Sequence, residues 1–419
     1  MPTLKTIIRP IYKPIKPFAQ WIMRLIYKPL KLLRERNLIV KLKKKRPIHV
    51  VFQVHESAKW SCQSLYDAFD KDPMFTVQIV VILFHGIQEY KNTLRFFQEK
   101  GLNVTGLFDE QSGNNTSPAD FSPDIVFFQE PMNWWFKRGT ALFCYIPYSI
   151  CQTKNFKWGY NGNFHYLLWR HFVETPYQLD FAKQYGATKG NGVVVSGWPK
   201  MDVFLRDDSQ TIKCPLWKTN SPDTKRIIYA PHWTVAENGG GLLLGTFLQY
   251  YQLLFDYVRQ HSEIEMVLKP HPSLKILILQ KGLMTEEVLN AFFEQWNTLP
   301  NGSVVEGGDY FDLFKTSDAM ILDSVSFICE YAYTAKPSLF LCRRRDVLEN
   351  DFNKFGQETT KNLYQAHSFE DIETFIQDTV IGGNDPLKQS REKFLKNVLK
   401  RDTNSAADFI HHYIKEKLS

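Results

Sequence analysis

Three apolar runs in this sequence end in groups that bind anions or move protons: "IIYAPHWT" (227–234), "MVLKPHPSLK" (266–275) and "AMILDSVS" (319–326). Proline cannot continue a strand ladder or a helix interior, so Pro270 and Pro272 hold His271 in a stiff, extended turn beside Lys269. A fixed imidazole next to an ammonium suits an anion or a proton transfer; an ordinary loop histidine is the bland alternative. In a parallel αβ sheet the carboxyl ends of the strands form one rim, and ligands sit there. His232, His271, Asp323 and Ser324 each follow such a run. Three strand ends on one rim make a site more plausible than any single residue does.

"DSVSFICEYAYTAKP" (323–337) reads as a helix start. The first helical turn has free N–H groups and the positive end of the dipole, which receive phosphate well. N-capping by Asp323 or Ser324 explains the same residues without a ligand. Glu330 lies about two turns on, roughly on the same face, placed to accept from ribose hydroxyls or to stand solvated. Near the other terminus His55 and Glu56 close the run "IHVVFQV" (48–54) and would point into the same cleft. There is no GxxxxGK[ST] phosphate loop. "ENGGGLLLG" (237–245) lacks the Lys-Ser/Thr ending, and its glycines read as a mobile loop over the cleft.

These residues need a scaffold that brings strand ends together. Strand patterns at 48–54, 75–84, 123–131 and 141–150 alternate with helical ones at 57–70 and near 87–100. "NGVVVSGWPKMDVFL" (191–205) adds a strand and a Gly-Trp-Pro turn. A second set places strands at 226–234, 265–272, 319–323 and 337–342, with helices at 245–261 and 324–335. This alternation predicts parallel βαβ units, hence two doubly wound αβ domains facing a cleft. At 419 residues the chain is also too long for one compact core. The expected division is an arm over 1–46, a first domain over 47–205, a second over 206–384, and C-terminal helices over 385–419 that cross back to the first.

The net charge of +7 hides an asymmetry. Residues 1–46 hold 14 Lys/Arg against Glu35 alone; removing them from the totals of 51 and 44 leaves a body of net −6. The arm interleaves these bases with Phe18, Trp21, Ile22 and other apolar residues at helical spacing, broken by Pro10, Pro14, Pro17 and Pro29. No run approaches the ~18 apolar residues of a membrane span. The arm therefore fits the surface of an anionic membrane, with packing on the body or nucleic-acid binding as the alternatives. Regular apolar positions argue against nucleic acid, because phosphate-backbone binding needs charge more than grease. The six cysteines are scattered without metal-ligand spacing and read as reduced thiols of a cytoplasmic protein, with no structural zinc.

Taken together, "IIYAPHWT", "VLKPHPSLK", "DSVSFICEYAYTAKPSLFL" and the turn "SGWPKMDVFL" resemble the CDP-glycerol glycerophosphotransferases, which make teichoic-acid and capsule-type polymers. The likeness spans about 140–345. It implies a GT-B-type fold of two Rossmann-like domains, the first taking the acceptor and the second the CDP-linked donor. By motif position it implies donor contacts from His232, Trp233, Lys269, His271, Val325, Ser326 and Glu330, with Lys200 where the family turn has Arg. Asp323 and Ser324 join them at the helix start. It implies neither metal nor cofactor, since cationic side chains and a helix terminus neutralise the diphosphate.

Two departures stand out. Cys144 in "CYIPY" (144–148) occupies the position of a family histidine taken as general base, which moves that role to His232, His55 or Glu56. "DSVS" replaces Asp-Tyr-Ser-Ser, leaving Ser326 matched and Ser324 an extra donor. The expected reaction is transfer of glycerol phosphate, or a related polyol phosphate, to a hydroxyl of a lipid-linked or polymeric acceptor. CMP would leave, and the enzyme would sit on the cytoplasmic face of the membrane. A GT-B glycosyltransferase using a nucleotide sugar, or a non-catalytic scaffold of such a complex, are the rival expectations.

Overall fold

The computed structural model describes residues 29–116, 121–131, 140–205, 212, 214–219, 221–237, 242–399 and 405–419. Phe18, Trp21 and Ile22 of the arm, and residues 238–241 of the glycine loop, lie outside them.

The first sheet is built from β1 (Ile48–Val54), β2 (Phe75–Val81), β3 (Val104–Gly106), β4 (Ile125–Phe128), β5 (Leu142–Tyr145), β6 (Arg170–Val173) and β7 (Val193–Val195), in the order β3-β2-β1-β4-β5-β6-β7. Every pairing in it is parallel. The second sheet contains β8 (Lys225–Ala230), β9 (Ile264–Leu268), β10 (Gly302–Val304), β11 (Ala319–Leu322), β12 (Ser338–Leu341) and β13 (Tyr364–Ala366). Its order is β10-β9-β8-β11-β12-β13, again all parallel. Such strands are covered on both faces, which is why "IVFF", "IEMVL" and "AMIL" are apolar without alternation and buried throughout. In each sheet the order reverses once, between β1 and β4 and between β8 and β11. The crevice at each reversal is where an open αβ sheet takes its ligand.

Helix α1 (Gln63–Asp70) buries Leu65, Tyr66 and Phe69 on the first sheet, where Phe52 stacks on Phe127 at 5.0 Å. On the second sheet α2 (Phe247–Gln260) and α3 (Ser273–Gln280) follow β8 and β9, and α4 (Val325–Ala332) follows β11. The last helix, α5 (Ala406–Leu418), packs Ala407, Ile410, Ile414 and Leu418 into the core of the first sheet. Asp202 accepts from the N–H groups of Ala406 and Ala407, and Lys415 meets Asp72 at 2.6 Å. Three buried Ile/Leu side chains, at about 1.5–3 kcal/mol each, outweigh those surface contacts as the reason it docks. The "SGWP" turn allows this close packing. Gly197 has φ +82°, and a Cβ there would meet Ala406 at 3.1 Å.

The described end of the arm, from 29, is a helix over 29–43. Leu38, Ile39 and Leu42 pack on the first-sheet core, whereas Leu30, Leu32 and Leu33 remain 55–59% exposed among basic residues. Body packing and an outward apolar face therefore coexist on one helix.

Ile150, Phe156, Phe181, Trp198 and Met201 from the first domain join Cys329, Tyr333 and Phe355 from the second in one apolar cluster. Backbone bonds tie Gln152–Lys154 to Asp351–Asn353 alongside it. The two crevices are thus held facing each other.

Candidate active site

In the second domain the motif residues follow β8 and β11, the strands at the reversal, and the neighbouring β9, on the loops that leave them or in α4. The ladder runs on past the strand ends: Lys269 N–H donates to Tyr229 O (2.8 Å) and His271 N–H to Pro231 O (3.1 Å). These bonds, with the flanking prolines, fix the Lys-Pro-His-Pro turn. The His232 and His271 rings lie 5.5 Å apart, and Trp233 packs 6.0 Å from His271.

The hydrogen bonds decide which ring nitrogens carry protons. Ser273 N–H donates to His271 Nδ1 at 3.1 Å, so Nδ1 holds a lone pair and Nε2 the hydrogen. Thr234 Oγ1 lies 2.8 Å from His232 Nδ1 and already accepts from Leu244 N–H; Thr234 N–H also points at Nδ1. His232 is therefore the same tautomer. Burial, reinforced by His271, pushes His232 down to about 3, and burial takes His271 to about 4. Near neutral pH both are uncharged imidazoles presenting Nε2–H. They can donate to phosphate oxygens, and a ring nitrogen already bearing hydrogen takes no proton. The sequence expectation offered His232 as a candidate general base; in this tautomer it is a donor instead.

Lys269 is buried, its Nζ donating to Gly307 O at 3.0 Å. Burial brings its ammonium down to about 8, against the pull of Asp309 and Glu330. Ser324 stands at the N-cap of α4 with no side chain capping that end, its Oγ 3.5 Å from Ser326 Oγ. The first-turn N–H groups, starting at Val325, are thus left to an outside acceptor.

Asp323 departs from its expected role. It is fully buried, and its oxygens accept from His232 N–H, Thr246 N–H and Thr246 Oγ1. It does not cap α4; it ties β8, β11 and the start of α2 together behind the rim. Burial raises its carboxyl to about 6, opposed by those donors. Gly245 lets the loop close on this tie, since a Cβ there would meet His232 O at 2.8 Å.

Glu330 is likewise not set to receive ribose in this arrangement. One oxygen takes Lys200 Nζ at 2.8 Å across the domain interface, and the other takes Tyr310 OH. Tyr310 also offers its ring to Lys200 (5.6 Å) and Lys269 (5.4 Å), organising both cations.

In the first domain Cys144 lies inside β5, fully buried in the core, and burial pushes its thiol far up. The rim there is made by His55 and Glu56 after β1 and by Glu130 after β4. His55 Nε2 lies 2.7 Å from Glu130 Oε2, and Lys59 bonds both Glu56 (2.8 Å) and Glu130 (3.0 Å). Burial, then Lys59 and His85, hold His55 down to about 4, while burial raises Glu130. Glu130 was passed over in the sequence, although "PDIVFFQEP" carries the same strand-end signal as the histidine motifs. Tyr310, Thr246 and His85 had no signal beyond loop positions.

Residues 173–365 match the family described as CDP-Glycerol:Poly(glycerophosphate) glycerophosphotransferase. No curated protein matches the sequence. Among solved structures, the wall teichoic acid polymerase TagF is similar at 14% identity and a TM-score of 0.57, covering 96% of this chain and 99% of that one. A UDP-N-acetylglucosamine 2-epimerase from Listeria monocytogenes is similar at 16% identity and 0.55, covering 89% and 96%. At these identities the likeness establishes the shared two-domain GT-B-type fold. The matched family segment holds every second-domain motif and the Gly197 turn, and begins after "CYIPY". The family model that matches residues 173–365 is thus the family that the motifs of this chain resemble.

Proposed function

We propose that the chain transfers glycerol phosphate, or a related polyol phosphate, from a CDP-linked donor to a hydroxyl of a cell-surface polymer or its lipid-linked precursor. The observation that carries this is the convergence, on one rim beside the strand reversal, of two Nε2–H imidazoles, the Lys269 ammonium and the open start of α4. All are donors or positive, as a diphosphate requires.

The acceptor oxygen attacks the phosphorus bearing the polyol. The new P–O bond forms as the bond to the CMP oxygen breaks, CMP leaves with that electron pair, and the hydroxyl proton passes to the facing rim. His232, His271, Lys269, Ser324, Ser326 and the N–H of Val325 hold phosphate oxygens and take up the spreading charge. Trp233 walls the donor side, and neither metal nor cofactor is needed at the diphosphate. Lys200 and Glu330 must part, or share their bonds, when the nucleoside enters between the domains.

The arm supports a peripheral place on an anionic membrane at the cytoplasmic face, where lipid-linked acceptors of teichoic-acid or capsule type would be reached. Its helix over 29–43 turns leucines and bases outward, and no helix among the described residues is long and apolar enough to span. The test is CMP release from CDP-glycerol, with membrane extract as acceptor, for wild type and His271→Ala. Release that collapses in the variant upholds the reading. Release of a nucleoside diphosphate from a nucleotide sugar would replace it with glycosyl transfer, and silence with every donor would leave a scaffold.

A further inference from the structure

The loops after β1 and β2 bring His55, Glu56 and His85 together, with one nitrogen from each imidazole and one Glu56 oxygen all within 4.8 Å of one another. His85 Nε2 stands 3.5 Å from Glu56 Oε2, and Glu130 adds a second carboxylate 2.7 Å from His55 Nε2. Gly86, at φ +98°, turns the chain directly after His85. Phe84 packs its ring 5.2 Å from His55 and 4.8 Å from His85, giving the cluster an apolar wall. Lys59 spans the two carboxylates, so a cation already occupies their midst.

Two imidazoles with carboxylate oxygen are the donor set of a divalent d-block ion, whereas calcium and magnesium favour oxygen alone. We propose that His55, His85 and Glu56 bind one such ion of the zinc class, with Glu130 as the fourth ligand. The ion takes the place of the Lys59 ammonium between the carboxylates. Lys59 is 21% exposed and its long stem can turn to solvent, while His85, 42% exposed, marks the entry side. This site lies in the domain facing the donor motifs, and its occupancy does not depend on the transfer reaction.

The experiment strips the full chain with EDTA, dialyses it, and titrates it calorimetrically with Zn²⁺ and spectroscopically with Co²⁺. Wild type should take one equivalent. His85→Gln and Glu56→Gln should each bind ~10–100-fold more weakly and lose the cobalt d–d bands. His261→Gln, on the second domain beside Glu263, should bind like wild type. The proposal is overturned if wild type shows no saturable binding, or if His85→Gln and Glu56→Gln bind as wild type does. No donor enters this assay, so its outcome is independent of the CMP-release test: zinc binding can be upheld where that test fails, and refuted where that test succeeds.

Discussion

If the two donor-side histidines work through Nε2–H, an amide that places an N–H at the same point should replace much of their function. Gln supplies that N–H but accepts no proton, so His271→Gln and His271→Ala separate donor from base. Ser273 N–H holds His271 Nδ1 as an acceptor, and burial keeps the ring uncharged above about pH 4. One donor aimed at developing charge is worth about 2.7–4 kcal/mol, so His271→Ala should lose ~10²–10³-fold in kcat. His271→Gln should recover at least a tenth of wild-type kcat, a residual cost of about 1.4 kcal/mol. The assay is steady-state CMP release from CDP-glycerol across pH 5–9, with donor affinity measured separately. The wild-type profile should show no acid limb from His232 or His271 in that range, since they ionise at about 3 and 4. A His271→Gln variant as inactive as His271→Ala, or a limb near pH 6.5 that His271→Gln abolishes, would refute the tautomer argument.

Three further outcomes follow from named contacts. Lys269 loses its proton as pH rises through about 8, so donor KM should climb above that pH, and Lys269→Met should show a raised but flat KM there. Lys200→Met strands the buried Glu330 carboxylate, whose pair leaves side chains only 11% and 2% exposed; a cost of ~3 kcal/mol is expected, partly relieved in Lys200→Met/Glu330→Gln. Thermal midpoints test this: additive losses would mean the pair is not coupled. Replacing the exposed Leu32 and Leu33 by Glu should weaken sedimentation with anionic vesicles while leaving the melting midpoint within about 1 °C, because neither packs on the core. Unchanged vesicle binding would remove the helix over 29–43 from any membrane role.

The second domain was largely legible because its strands are continuous apolar runs closed by Pro, His or Asp. "IIYAP", "MVLKP" and "AMILD" each ended within four residues of the observed strand. The short strand Arg170–Val173 escaped notice because Arg, His and the adjoining Glu174 break its apolar pattern, although His171 and Glu174 are buried. The individual roles were less legible than the places. Sequence shows that Asp323 and Glu330 share a helix face, but not that Thr246 and Tyr310, distant in the chain, consume their oxygens. Nor does it show which nitrogen of His271 carries hydrogen, since a backbone N–H two residues on decides that.

The proposed reading puts the proton acceptor across the cleft from the donor motifs. On the donor side both imidazoles present N–H, Asp323 is sealed behind the rim, and Glu330 is engaged by Lys200 and Tyr310. Cys144 lies inside a strand with its thiol pushed far up by burial. Among the described residues, the acceptor this reading proposes is the cluster after β1 and β4, where Glu56, Glu130 and His55 sit together around Lys59. If this cluster takes the proton, its loss should strike turnover and spare donor binding. Glu56→Gln and Glu130→Gln should each lower kcat by ~10²-fold or more while CDP-glycerol binding, followed by calorimetry, changes less than about twofold. A matching loss of donor affinity would show instead that the first-domain rim grips the nucleotide, and the division of labour between the two crevices would fall.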